Sequence, residues 1–91
     1  MPMKVRLHAE LLRVSRRRRD GALIICPLPT HQDLASRIGS QREAVSKELK
    51  RLERDGVIMR GRATVHVVRE GVLRQGITDW NDEPTAVPNL P

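Results

Sequence analysis

Residues 30–58 read THQDLASRIGSQREAVSKELKRLERDGVI, and the fold turns on this stretch. Thr30 stands before a short apolar face of Leu34, Ala35 and Ile38. Its hydroxyl suits a free amide of the first helical turn, with Asp33 three residues on. Gly39 fits a left-handed or tight helix end, and Ser40 follows at once with Glu43 at capping-box spacing, which predicts a second helix over 41–55. In that helix Val45, Leu49 and Leu52 recur at i, i+4 and i+7, with Ala44 beside them. Glu43, Lys47, Lys50 and Arg54 fall within about 60° of one another on the opposite side. One stripe faces a core, and the other faces outward and is mostly basic. Ala35 lets the two helices approach, and Gly39 permits the sharp change of direction between them.

Upstream, Leu7, Leu11 and Val14, widened by Leu12, predict an amphipathic helix over 3–18 that ends in Arg16, Arg17, Arg18 and Arg19 before an Asp20-Gly21 turn. That arginine run reads equally as a solvated helix end or as a phosphate contact. Residues 22–26 are apolar and β-branched and are stopped by Pro27 and Pro29, as a short strand would be. Downstream of Gly56, residues 57–59 and 64–68 are β-branched runs around Arg60-Gly61-Arg62-Ala63, predicting a hairpin with an arginine-bearing tip. Helix, tight turn, helix and hairpin, in that order, make an α+β winged helix-turn-helix, a three-helix bundle with a small β-hairpin wing, over residues 1–75. Residues 76–91, with three prolines and few large apolar side chains, predict a disordered acidic tail. Trp80, the only aromatic residue, is expected there, outside the core.

Composition bounds the function. A chain of 91 residues holds one small domain and leaves little room for a deep substrate cleft. Its 17 lysines and arginines against 11 acids give a formal charge of +6, and every basic residue precedes Asp79. Arginine dominates, and its planar donor fork suits phosphate and guanine edges. A polyanion is therefore the leading partner class. A merely arginine-rich solvated surface has the same composition, so the spacing has to decide. Cys26 is the single cysteine, expected as a small buried hydrophobe; it excludes an intrachain disulfide. His8, His31 and His66 stand apart without ligand spacing, so no metal or other cofactor is expected. No serine sits in a nucleophile motif, and no catalytic set is found. With no long apolar run and no secretory pattern at its start, the chain reads as soluble and cytoplasmic.

With these residues in place, 30–58 resembles the DNA-binding domain of the Crp/Fnr family of bacterial transcription regulators, and the likeness extends over about 5–68. Its most specific piece is Arg42-Glu43-Ala44-Val45-Ser46-Lys47, similar to the family pattern R-E-T-[VI]-[SG]-R. The resemblance implies that Arg42, Glu43, Ser46 and Lys47 contact bases in the major groove. It also implies that Thr30, Ser40 and Gln41 lie near phosphates. Lys50, Arg54, Arg60 and Arg62 are assigned to phosphates or solvent. Lys47 replaces the usual arginine, exchanging a two-pronged guanine contact for a single-headed one. Glu48 occupies a position that is often apolar and is expected at an edge.

The family's sensory barrel and dimerisation helix have no counterpart here, so the chain resembles the output domain alone. The implied partners are double-stranded DNA, one palindromic half-site per domain, and RNA polymerase. No membrane partner is implied. The isolated domain is expected to be a monomer and a full-length regulator a homodimer. Glu43 keeps two readings, a capping-box residue and an acceptor for cytosine N4. A winged-helix adaptor that binds protein is the alternative function, and it predicts an exposed apolar patch. An RNA-binding protein fits less well, because aromatic stacking residues are nearly absent.

Overall fold

The structure, a computed structural model, describes residues 1–81. Its elements run α1 (Met3–Val14), β1 (Arg16–Arg17), β2 (Leu23–Ile25), α2 (His31–Ile38), α3 (Arg42–Arg54), β3 (Ile58–Arg60), β4 (Val65–Val67) and α4 (Glu70–Asn81). The α+β winged helix-turn-helix is present, with four helices and a four-stranded antiparallel sheet in the order β1-β2-β4-β3. The β3–β4 hairpin is the wing, and it does not stand alone: Leu23, Ile24 and Ile25 of β2 pair with Val67, His66 and Val65 of β4. Strand alternation then turns Leu23, Ile25, Val65 and Val67 to one face, where all four are buried.

Against that face pack the helical stripes: Leu7 and Leu11 of α1, Leu34, Ala35 and Ile38 of α2, and Val45, Leu49 and Leu52 of α3. The Thr30 hydroxyl accepts from the Asp33 amide at 3.0 Å, so α2 is capped as its sequence predicts. Gly39 ends α2 at φ 68°, ψ 41°. The Ser40 amide donates back to Ala35 O at 2.8 Å and the Gly39 amide to Ser36 O at 3.4 Å, which closes a Schellman turn. Ser40 is thereby used in closing α2. The residue that caps α3 is Gln41, without a side-chain cap bond, and the expected capping box is not formed.

Four further expectations differ in the structure. The first helix stops at Val14, with Ser15 Oγ donating to Leu12 O at 2.6 Å. Arg16 and Arg17 then run as an edge strand beside β2, because Asp20 and Gly21 reverse the chain in a tight hairpin; the Arg18 amide meets Ala22 O at 2.7 Å. The arginine run is thus not a helix end. Second, residues 76–81 belong to α4, where a disordered tail was expected to start; the rest of that tail, 82–91, lies outside the described residues. Leu73, Gly76, Ile77 and Trp80 form the inward stripe of α4, so Trp80 is half-buried at the end of it. Gly76 faces α1, where a Cβ would come into contact with His8 Nδ1 at 3.4 Å.

Third, Cys26 is exposed, receiving the Thr64 hydroxyl at 3.3 Å, because alternation along β2 sends it to the side opposite Ile25. Fourth, Glu48 is buried at 2% exposure. It is tolerated because the fold supplies donors: His8 Nε2 lies 2.8 Å from Oε2, and Arg51 donates twice, at 2.7 and 2.8 Å. Burial opposes its charge, but the bonds from Arg51 and His8 outweigh burial and hold the carboxyl below its ordinary value.

Candidate nucleic-acid interface

With its apolar stripe committed to the core, α3 turns Arg42, Glu43 and Lys47 to solvent and keeps Ser46 half-buried. The N-terminal ends of α2 and α3 meet around an open concavity of about 600 Å³. Its lining takes Thr30, Arg42, Glu43, Ser46, Lys47 and Lys50 from the predicted set and adds His31 and Gln32. A second concavity lies between α3 and the wing, lined by His31, Lys50, Glu53, Arg54 and Arg60. The tight turn and the sheet register together bring these side chains to one surface. Ser40, Gln41 and Arg62 line neither hollow; Gln41 stands at the start of α3 and Arg62 at the tip of the wing.

The cations differ in how free they are. Arg42, Lys47, Lys50 and Arg62 have no acidic partner among the described residues. Arg54 lies 3.6 Å from Asp55, and Arg60 lies 3.4 Å from Glu53. Elsewhere several arginines are spent on the fold: Arg17 and Arg74 both bind Glu70, whose carboxyl is held down at about 2 first by the bond from Arg17, while Lys4, Arg6, Arg16, Arg19 and Arg69 also have no acidic partner among the described residues. Three of the unpaired cations, Arg42, Lys47 and Lys50, share the outer face of α3, where two helix N-termini add their amide dipoles. Glu43, the only acid on the rim of the first concavity, has no hydrogen-bond partner among the described residues, so the capping reading drops away.

His31 is the residue that sequence reasoning missed. It is the first residue of α2, and its ring reaches both neighbours of interest: Nδ1 lies 2.6 Å from Ser46 Oγ and Nε2 lies 3.0 Å from Arg60 Nη2. Burial, then the charges of Arg60, Arg42 and Lys50, push its pKa below the ordinary 6.5. Sequence carried one faint signal, a histidine next to the helix cap; the partners 15 and 29 residues away were invisible.

The geometry is that of a helix pair presenting an exposed cationic helix beside a wing. The family described as the Crp-like helix-turn-helix domain matches residues 5–75. The chain belongs to that family. A transcriptional regulator of the CRP/FNR family from Thermus thermophilus superposes with a TM-score of 0.68 at 26% identity, over 86% of this chain and 41% of its own. A second CRP-family regulator from that organism gives 0.69 at 26% identity, with the same coverage of 86% and 41%. The catabolite activator protein of Thermus thermophilus gives 0.59 at 31% identity, over 84% of this chain and 34% of its own. This Crp-like domain thus spans about two fifths or less of the length of those regulators. No curated protein matches the chain. Membership makes it a DNA-binding domain of transcription regulation and not an enzyme. Among the described residues no helix is long and apolar enough to cross a membrane.

Proposed function

We propose that this domain reads one half-site of a palindromic operator, with the N-terminal half of α3 in the major groove. The groove is about 12 Å wide and admits one helix. Arg42, Glu43, Ser46 and Lys47 face base edges; Thr30, Ser40, Gln41, Lys50, Arg54, Arg60 and Arg62 face phosphates. The observation that carries this is the uncompensated cationic face of α3, placed where a duplex can reach it. Arg42 suits guanine O6 and N7, and Glu43 suits cytosine N4, each good pairing being worth about 1–3 kcal/mol of discrimination.

The domain works with the bacterial chromosome in the cytoplasm, as a monomer when alone. In a regulator as long as its relatives, two copies would engage two half-sites about one helical turn apart, and RNA polymerase is the natural further partner. The adaptor alternative needs an apolar patch on the working face. Among the described residues the exposed large apolar side chains are Met1, Met59, Val68 and Val72, of which only Met59 lies on the wing and none on α3, which disfavours it.

Selection of bound sequences from a random duplex pool tests the reading. A single preferred half-site is expected, and Glu43→Ala should relax one position of it with little loss of overall affinity. Recovery of unselected sequence, or equal loss on all duplexes for Glu43→Ala, would remove Glu43 as a reader.

A further inference from the structure

Two short contacts fix the chemistry of His31. Arg60 Nη2 stands 3.0 Å from His31 Nε2, and a guanidinium carries only donors, so Nε2 must offer its lone pair. A neutral imidazole with a bare Nε2 bears its proton on Nδ1. That proton points at Ser46 Oγ, 2.6 Å away, and Ser46 is the acceptor. The ring is kept neutral by its half-buried site and by the surrounding cations Arg60, Arg42 and Lys50. The serine hydroxyl has now spent one of its two lone pairs on His31 and retains its own O–H and a single lone pair. Among the described residues that O–H has no acceptor, although it lines the concavity together with Arg42, Glu43 and Lys47.

We propose that His31 is a specificity-determining positioning residue: the chain Arg60 to His31 to Ser46, running from the wing to α3, fixes the Ser46 hydroxyl as a hydrogen-bond donor toward the groove. The inference rests on α3 being the helix that enters that groove. A serine hydroxyl in open water donates or accepts at will and discriminates little. A hydroxyl held as a donor selects a base edge with an acceptor, such as purine N7, guanine O6 or thymine O4. With one of its two lone pairs already engaged, it accepts less readily from the amino groups of cytosine and adenine. Because the proton on Nδ1 is dictated by Arg60 at Nε2, a residue of the wing sets what a residue of the recognition helix can read.

Two measurements test this. In the free protein, ¹⁵N-resolved NMR of the imidazole above its titration should show the Nδ1–H tautomer at His31, and Arg60→Ala should move it toward the Nε2–H form. A wild-type Nε2–H tautomer would overturn the proposal whatever DNA does. On DNA, competition binding with each base pair of the selected half-site permuted should show His31→Ala and Ser46→Ala losing preference at the same single pair. The loss expected for one hydrogen bond is about three- to tenfold. The double variant should lose no more than either single one.

His31→Asn, whose amide can turn either its donor or its acceptor to Ser46 with no partner on the wing to choose between them, should weaken the preference at that pair. Thermal melts confirm that each variant is folded. Uniform weakening on all duplexes, with the preference at that pair intact, reduces His31 to a phosphate contact and overturns the proposal. A wild-type protein with no base preference at all overturns the groove reading and this inference with it, and the wild-type control alone tells the two failures apart.

Discussion

Glu48 shows how one residue changes meaning once its neighbours are known. A glutamate in an amphipathic helix reads as surface or edge, yet this one is buried because His8 arrives from α1 and Arg51 from the next turn. Glu48→Gln keeps the shape and loses the charge, so it should cost about 1–3 kcal/mol in urea unfolding at neutral pH. The sign with pH follows from linkage. Its folded carboxyl titrates below the ordinary 4.5, so the charged form stabilises the fold above that pH and the gain is lost as pH falls through the folded value. The difference between wild type and Glu48→Gln should therefore shrink in acid. A difference that stayed constant down to the folded titration would show that the pair contributes no charge stabilisation.

His31 makes the complementary point. Its pKa lies below 6.5 first because of burial and then because of Arg60, with Arg42 and Lys50 adding to it. Arg60→Ala should raise the midpoint followed by NMR while leaving it under 6.5, since burial remains. A midpoint unmoved by the substitution would mean that Arg60 does not approach the ring in solution.

At the scale of elements, α2 and α3 were legible because each carries its own signals within one turn: a cap at Thr30, apolar spacing, and a left-handed glycine at Gly39. The wing was legible for the same reason, as two β-branched runs around a short turn. Two elements were not. β1 consists of two arginines with no intrinsic claim to a strand, and it exists because the Asp20-Gly21 turn lays it beside β2. In α4 the stripe of Leu73, Gly76, Ile77 and Trp80 has helical spacing, but two glycines and few apolar residues make it weak, and its stability comes from α1. Leu73 is its fully buried residue. Leu73→Ala should thus cost about 2–5 kcal/mol and expose α4 amides to hydrogen exchange ahead of those in α3. Exchange lost evenly across the molecule would mean that α4 is integral to the cooperative core.

At the scale of the whole molecule, charge is sorted by the fold. Arg13, Arg17, Arg37, Arg51 and Arg74 are tied to carboxylates, whereas Arg42, Lys47 and Lys50 on the outer face of α3 and Arg62 at the tip of the wing are not. If about five phosphates are neutralised, log affinity for duplex should fall with log salt at a slope of about −4 to −5. Arg62→Ala should weaken all sequences alike and flatten that slope by about one. A slope near zero would be incompatible with a phosphate-docked domain.

The sequence by itself determined the helix pair, the wing, the identity of the outward basic stripe and the family likeness, because caps, turns and periodicity are written within a few neighbouring residues. Only the tertiary structure decided that Glu48 goes inside, that Cys26 stays outside, that α4 exists, and that His31 bridges the wing and α3. Each of these depends on a partner from a distant part of the chain, and desolvation and hydrogen-bond energies are set by who that partner is.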